Sequence, residues 1–161
     1  DPAALLAARH VPRLPRPQLV VGGDSGWRSE ALVRSMDADP AIHRIGFTPR
    51  EALRALYRNA LVFVYPSRYE GFGLPPLEAM ACGTPVVTTR GGAIPEVVGD
   101  AALLVDVGDR AGIAAAIDRL RDSEPLRREL QEGGLIRASA FSWDRSAGLM
   151  NELLIHAAER G

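Results

Sequence analysis

The sequence contains no lysine and only one cysteine. All 19 basic residues among its 161 are arginines, and 20 acidic residues balance them to a formal net charge of −1 at pH 7. A charge this close to neutral argues against a general nucleic-acid or membrane-surface binder. Because Cys82 has no second cysteine in the chain, no intramolecular disulfide can form. The missing lysine also excludes a phosphate-binding loop of the Walker type, which requires one.

Long apolar runs are absent as well. No stretch approaches the roughly 20 apolar residues that a membrane-spanning helix needs, and no signal peptide is recognisable. The length predicts a single domain over residues 1–161. The use of arginine alone, with much alanine and glycine, is typical of a bacterial gene of high GC content. Since the first residue is Asp1, we expect the chain to be part of a longer protein.

Short apolar segments alternate with segments of helical pattern. The apolar segments carry hydrophobic residues on both faces, which is typical of parallel strands covered on both sides by helices. We therefore predict an α/β fold with a doubly wound parallel sheet. The predicted strands are Gln18–Gly22, Ile42–Gly46, Leu61–Tyr65, Pro85–Thr89 and Ala102–Val105.

Capping residues mark the helices between these strands. Thr48–Glu51 (TPRE) has the pattern of a capping box that opens a helix at Pro49. Asp109, Ser123 and Ser142 are predicted N-caps, which makes the last third of the chain helical with no further strand. The predicted helices are Trp27–Met36, Pro49–Arg58, about Pro76–Cys82, Arg110–Arg121, one beginning after Ser123, and one running from Ser142 to about Glu159.

Ligands of doubly wound sheets bind beyond the carboxyl ends of the strands. Three loops lie there, at 22–27, 66–76 and 89–95, and the second belongs to the stretch RYEGFGLPPLEAMACGTPV at 68–86. Gly71 and Gly73 allow the backbone to turn and approach a ligand closely. Pro75 and Pro76 suit a loop that passes into the first turn of a helix. Such a helix start is an anion site.

Two glutamates, Glu70 and Glu78, bracket this loop eight positions apart. The spacing alone is weak, since Glu124 and Glu132 share it within a charged helix that we interpret as solvated surface. The context is more informative. Glu78, expected in the first turn beside a phosphate, can accept hydrogen bonds from a ribose diol, and Glu70 from hydroxyls of a group beyond the phosphates. The alternative without a ligand is that Glu78 only caps the helix and Glu70 is an ordinary surface residue.

The stretch resembles the Glu-x7-Glu motif of the large family of retaining glycosyltransferases with the GT-B fold, family 4. The resemblance extends from Ile45 to Asp109 and includes LVVGGDSGW at 19–27 and FSW at 141–143. It implies a Rossmann-like C-terminal domain that binds a nucleotide-sugar donor, with the N-terminal acceptor domain absent from this chain. It further implies transfer with retention of anomeric configuration, without a metal or any other cofactor.

The resemblance assigns roles residue by residue. Glu70 is the catalytic residue and contacts the donor sugar, while Glu78 binds the ribose. The diphosphate meets the loop Gly71–Gly73, called the glycine loop below, and the base lies at the end of the second predicted strand. The donor-binding residues so implied are Glu78, Gly71, Phe72, Gly73, Leu74, Ile45, Phe47, Thr48, Gly91 and Gly92.

One feature of the family is missing. Its members carry an arginine and a lysine on the diphosphate ahead of the strand that is here Gln18–Gly22, whereas residues 1–17 hold Arg9, Arg13 and Arg16 but no lysine. We expect that segment to lie upstream of Asp1, and we expect the chain alone to be inactive.

The resemblance also suggests a bacterial polysaccharide or glycolipid acceptor. The donor is GDP-mannose in preference to a UDP-sugar, and the site of action is the cytoplasm or the periphery of the inner membrane. The expected partners are the donor and the N-terminal domain, with no nucleic acid and no membrane insertion.

Other functions stay open at this point. They are a GT-B-fold epimerase or phosphorylase, a non-catalytic nucleotide-binding fragment, and a glycoside hydrolase that uses Glu70 and Glu78 as its two carboxylates. Asp37 and Asp39 have the spacing of a metal-binding Asp-x-Asp, but their place before Pro40 indicates a turn. Trp27 and Trp143 are interpreted as packing anchors.

Overall fold

The computed structural model describes residues 17–23 and 29–160, and its strands are parallel. Hydrogen bonds join them into a two-stranded sheet, β1–β2, and a three-stranded sheet of order β3–β4–β5. The five predicted strands are all present, and the first and the last three are one or two residues shorter than predicted. Their bounds are β1 Leu19–Gly22, β2 Ile42–Gly46, β3 Phe63–Tyr65, β4 Val86–Thr89 and β5 Leu103–Val105.

Helices connect and flank these strands, which confirms the α/β prediction and the helical last third. The sequence prediction missed α4 and began α3 two residues too late. The helices are α1 Glu30–Asp37, α2 Arg50–Asn59, α3 Leu74–Ala81, α4 Ile94–Val98, α5 Arg110–Asp122, α6 Glu124–Ser139 and α7 Trp143–Glu159, with a 3-10 turn at Gly99–Ala101.

The three-stranded sheet separates two apolar cores. Successive side chains of a strand point to opposite faces, so Phe63 and Tyr65 of β3 lie in one core while Val62 and Val64 lie in the other. The first core is closed by Tyr57 of α2 and by residues of α3 and α4, and the second by residues of α5 and α6. With both faces covered, β3 and β4 are buried along their whole length.

Three of the predicted N-caps are confirmed. Asp109 accepts from the N–H of Gly112 at 2.8 Å, Ser123 from Leu126 at 3.3 Å and Ser142 from Arg145 at 3.1 Å. The capping box at Thr48 is wrong. The Thr48 hydroxyl donates back to the carbonyl oxygen of Gly46 at 3.3 Å, and Pro49 precedes the helix as its N-cap, without a side-chain bond.

The last helix, α7, has no buried residue. Trp143 at its start is 81% exposed, so its interpretation as a packing anchor is wrong for this chain, while Trp27 lies outside the described residues. Leu149, Met150, Leu153 and Leu154 of the same helix are also exposed. Within the described ranges, no helix combines the length and apolar character required to cross a membrane.

Candidate functional site

The carboxyl end of β3 is fixed by two threonines of β4. The hydroxyl of Thr88 donates to the carbonyl oxygen of Tyr65 at 2.8 Å, and the hydroxyl of Thr89 donates to the carbonyl oxygen of Ser67. Both threonines are buried, so these bonds are not exchanged with solvent. The chain segment that leaves β3 is therefore held against β4 for two residues beyond the strand.

The next turn carries Glu70, whose carboxylate accepts two hydrogen bonds from residues that precede it in the chain. The hydroxyl of Tyr65 donates to its Oε1 at 2.6 Å, and the hydroxyl of Ser67 donates to the same oxygen at 2.8 Å. Burial raises the pKa of the Tyr65 phenol, and the hydrogen bond to Glu70 and its charge raise it further. The phenol consequently stays protonated and remains a donor at neutral pH.

The segment Gly91–Ala93, after β4, packs directly on the backbone of this turn. The N–H of Ala93 donates to the carbonyl oxygen of Glu70 at 3.0 Å. A Cβ on Gly91 would lie 2.5 Å from the carbonyl oxygen of Arg68, and one on Gly92 would overlap the carbonyl oxygen of Glu70. Gly92 also has φ +62°, in the left-handed region. Only glycine at both positions permits this close approach.

Helix α3 begins directly after the glycine loop, at Leu74 instead of Pro76. Its N-cap is Gly73, buried and with φ +100°, which explains the need for glycine there. The N–H groups that helix geometry leaves without an intrahelical partner are those of the N-cap and the next three residues. Two of these four are Pro75 and Pro76, so the free donors at this helix start come from Gly73 and Leu74 alone.

Glu78 lies in the second turn of α3, because the helix begins earlier than predicted. The expectation that it occupies the first turn is wrong, and the first turn contains no acidic residue. Glu78 is exposed and lies close to α2. The pKa of the buried Tyr57 in α2 is raised by burial and then by the negative charge of Glu78. Glu78 thus lies on the part of α3 that is near Tyr57 of α2.

An aromatic pair joins the glycine loop to the segment that follows α6. The ring of Phe72 meets the ring of Phe141 edge-on, with centroids 5.8 Å apart and planes at 86°. The guanidinium of Arg137 lies 5.0 Å from the centroid of Phe141, and its Nε donates to the carbonyl oxygen of Val97 at 2.8 Å. The end of α6 is in this way tied both to α4 and to the loop.

Ile45, Phe47 and Thr48 line a separate cavity of about 480 Å³ between the end of β2 and α2. The other lining residues are Pro49, Ala52, Ala55, Leu56 and Asn59. None of the residues from Glu70 to Glu78 contributes to its wall. Phe47, which lines this cavity, is 78% exposed, so its ring is in contact with solvent.

The structure therefore brings Gly92 into direct contact with Glu70 and Gly91 into contact with Arg68 and Ser67, and Phe72 to Leu74 follow in the same loop. It keeps Ile45, Phe47 and Thr48 in a second group that lies against α2. Sequence reasoning missed Tyr65, Ser67, Ala93 and Phe141. The sequence signal for the first two was the hydroxyl-bearing string Tyr-Pro-Ser at the end of a strand, just ahead of an acid.

Asp37 and Asp39 form the turn that the sequence indicated. Asp39 accepts from the N–H of Ala41 at 2.9 Å, and Asp37 pairs with Arg44 at 3.5 Å. Among residues 17–23 and 29–160, no three His, Cys, Asp or Glu side chains are grouped so that they could hold a metal ion. The arginines Arg9, Arg13 and Arg16 lie outside the described residues.

Known proteins are similar to this chain in sequence and in architecture. The family model "Glycosyl transferases group 1" matches residues 3–136. O-antigen chain mannosyltransferase B of Escherichia coli is 42% identical over 129 residues, which are 78% of this chain and 34% of that protein. The chain thus spans about a third of the length of this curated relative.

Solved structures are similar to this chain as well. The sucrose-phosphate synthase of Thermosynechococcus elongatus superposes with a TM-score of 0.80 at 32% identity, over 92% of this chain and 40% of the other. The C-terminal domain of a glycosyl transferase group 1 protein, LpcC of Francisella tularensis, gives a TM-score of 0.64 at 32% identity, over 75% of this chain and 67% of the other. These matches and the family model agree: the chain belongs to the glycosyl transferases group 1 family and has the GT-B type of fold.

Proposed function

We propose that residues 1–161 are the donor-binding domain of a longer retaining glycosyltransferase of family 4, in which Glu70 and Glu78 form the Glu-x7-Glu motif. The donor is a nucleoside diphosphate sugar. Glu70 binds the sugar and acts in catalysis, the N–H groups of Phe72, Gly73 and Leu74 bind the diphosphate, and Glu78 binds the ribose. The reaction proceeds without a metal, and the domain alone binds nucleotide but transfers no sugar.

The observation that carries the proposal is the fixed turn between β3 and α3. The helix start offers the N–H groups of Gly73 and Leu74, to which an anion is attracted by these donors and by the helix dipole. Glu70 precedes this helix start and its carboxylate is bonded to Tyr65 of β3, whereas Glu78 follows the helix start, in the second turn of α3. A diphosphate bound between them has a sugar on one side and a nucleoside on the other.

The second group of residues supports the nucleoside end. The cavity at Ile45, Phe47 and Thr48 lies against α2, the helix whose Tyr57 is close to Glu78, and most of its other lining residues are apolar. An exposed aromatic ring such as Phe47 can stack on a base. The base therefore enters beside α2 while the ribose meets Glu78. Gly91 and Gly92 line the same site by holding the turn of Glu70 in place.

Mannose is the favoured sugar, since the relative of 42% identity is named a mannosyltransferase of an O-antigen chain. The donor is then GDP-mannose, with UDP-sugars as the next choice. The acceptor is a bacterial polysaccharide or glycolipid, bound by the N-terminal domain in the cytoplasm or at the periphery of the inner membrane. The negative charge that develops on the departing diphosphate is neutralised by cations of the full-length protein.

Calorimetric titration of the full-length protein tests the proposal. We expect GDP-mannose to bind and Glu78→Ala to weaken binding about tenfold or more, as loss of a hydrogen bond to a charged group predicts. Glu132→Ala is the matched control, because Glu132 belongs to the other glutamate pair of the same spacing and is also exposed. Unchanged donor affinity in Glu78→Ala would contradict the assignment.

The reaction itself is tested by product analysis. With donor and acceptor present, the anomeric configuration of the product should equal that of the donor, and the rate should persist in excess EDTA. A product of inverted configuration, or activity abolished by EDTA and restored by a divalent metal, would contradict the proposal. Free sugar or an isomerised donor formed without acceptor would instead favour a hydrolase or an epimerase.

A further inference from the structure

We propose that Tyr65 and Ser67 are positioning residues that fix one oxygen of the Glu70 carboxylate and leave the other for the sugar of the donor. The inference rests on the proposed function and adds two residues that the Glu-x7-Glu motif does not contain. It concerns how the carboxylate acquires its orientation before any ligand arrives.

The hydrogen bonds converge on a single atom. Tyr65 Oη donates to Glu70 Oε1 at 2.6 Å and Ser67 Oγ donates to the same oxygen at 2.8 Å. The Tyr65 distance is in the range of charge-assisted O–H···O bonds, and the Ser67 distance is that of an ordinary O–H···O bond. Among the residues that the structure describes, no donor is recorded on Oε2. The carboxylate is therefore held at one oxygen and open at the other.

The backbone of all three residues is fixed as well. Thr88 and Thr89 donate to the carbonyl oxygens of Tyr65 and Ser67, and the N–H of Ala93 donates to that of Glu70. The side chain of Tyr65 lies in the core between strand and helices and is only 7% exposed. The two donors thus have little freedom to leave the carboxylate, and Glu70 is preorganised for a ligand.

The chemistry of the donors agrees with this role. An ionised carboxylate accepts hydrogen bonds and cannot donate, so hydroxyls are suitable partners. The Tyr65 phenol stays protonated because its pKa is raised by burial and by Glu70. The Ser67 hydroxyl has one proton and two acceptors in reach, Glu70 Oε1 at 2.8 Å and the carbonyl oxygen of Tyr69 at 3.3 Å. The shorter distance favours Glu70.

The arrangement separates the sugar from the nucleotide. Tyr65 and Ser67 act only through Glu70, whereas the diphosphate and ribose meet the helix start and Glu78. Loss of either hydroxyl should consequently reduce turnover and the affinity for the nucleotide sugar, and should leave the affinity for the free nucleoside diphosphate unchanged. General damage to the loop would reduce both affinities together.

The experiment compares Tyr65→Phe and Ser67→Ala in the full-length protein, with GDP-mannose as donor and GDP as the sugar-free probe. We expect kcat/KM for the donor to fall about tenfold or more in each variant, with GDP affinity within twofold of the unmodified protein. Ser67→Thr keeps a hydroxyl and should restore most of the activity. Thr84→Val is the stability control, because it removes a buried hydroxyl that donates to the Tyr57 carbonyl oxygen, away from Glu70.

A double-mutant cycle tests whether Tyr65 and Ser67 act through Glu70. In a Glu70→Ala background, Tyr65→Phe and Ser67→Ala should each change the affinity for GDP-mannose less than twofold, because the group that they position is gone. Equal losses with and without Glu70, or equal losses of donor and GDP affinity, would overturn the inference. So would full activity in both single variants.

The result also distinguishes this inference from the proposed function. If the unmodified protein transfers sugar and Glu70→Ala abolishes transfer while Tyr65→Phe and Ser67→Ala remain fully active, only the positioning role fails. If the unmodified protein neither binds nor uses a nucleoside diphosphate sugar, the proposed function fails and the inference fails with it.

Discussion

Gly92 lies so close to Glu70 that no side chain fits between them. A Cβ on Gly92 would overlap the carbonyl oxygen of Glu70, the same oxygen that accepts the N–H of Ala93 at 3.0 Å. The loop after β4 therefore supports the loop after β3 by direct backbone contact. A residue that the sequence placed on the cleft wall thus determines where the backbone of the candidate catalytic acid lies.

We predict that Gly92→Ala destabilises the domain by about 2–5 kcal/mol. Alanine at φ +62° costs about 1–2 kcal/mol in backbone strain, and displacement of the Glu70 carbonyl adds an overpacking cost of about 1–3 kcal/mol. The free energy of unfolding is measured by urea denaturation.

Gly108→Ala is the matched control. Gly108 also has a positive φ, +85°, but a Cβ there meets no atom within 4 Å. It should show the strain cost alone. Equal destabilisation in the two variants would mean that the contact between Gly92 and Glu70 contributes nothing beyond backbone strain.

The strands and the glycine loop could be predicted because their signals are local. Val86–Thr89 and Phe63–Tyr65 are apolar on both faces, and Gly71 to Pro76 carry the backbone chemistry of a turn that enters a helix. The error at α3 has a local cause too. Two prolines mark a helix start, but they fit at the second and third helical positions as well as at the first.

The remaining site residues depend on tertiary contacts. The string Tyr-Pro-Ser places hydroxyls ahead of an acid, but it does not show that the Tyr65 hydroxyl points to Glu70, since strand direction and the turn at Pro66 decide this together. The pairing of Phe72 with Phe141 joins residues far apart in sequence. Helix α4 was missed because Gly91, Gly92 and Pro95 indicate a loop, although Pro95 lies in the first turn, where proline is tolerated.

We predict that Phe141→Ala weakens binding of a nucleoside diphosphate about three- to tenfold. The edge-on pair with Phe72 contributes about 0.5–1.5 kcal/mol beyond its buried area, and Phe72 belongs to the loop that offers its N–H groups to the phosphates. Affinity is measured by calorimetry with GDP. Leu149→Ala, on the exposed face of α7, is the control and should bind as before. Undiminished affinity in Phe141→Ala would remove the loop-supporting role of this ring.

We predict that the domain loses stability as the pH rises above about 10. The pKa values of Tyr57 and Tyr65 are raised in the folded state, so above the ordinary value of about 10 the unfolded state has lost a proton that the folded state keeps. The contribution of the two tyrosines to the free energy of unfolding is then constant below pH 10 and falls above it, by up to about 1.4 kcal/mol per pH unit for each tyrosine.

Urea denaturation from pH 8 to 11 measures this slope. Tyr57→Phe should reduce the slope by about half, because phenylalanine does not titrate while Tyr65 remains. Tyr69→Phe is the control, since Tyr69 is 77% exposed and should leave the slope unchanged. A slope that is identical in the Tyr57 and Tyr69 variants would show that the buried phenol is not the titrating group.

Finally, we predict that removal of residues 143–161 changes the free energy of unfolding by less than about 0.5 kcal/mol, the range typical of surface changes. No residue of α7 is buried, so the two cores on either side of the β3–β4–β5 sheet remain complete without it. The truncated chain should also be more soluble, because Trp143, Leu149, Met150, Leu153 and Leu154 are exposed apolar side chains. The urea midpoint and the slope of the transition measure the first effect, and the solubility limit in buffer measures the second. A markedly lower midpoint would mean that α7 packs on the domain in solution.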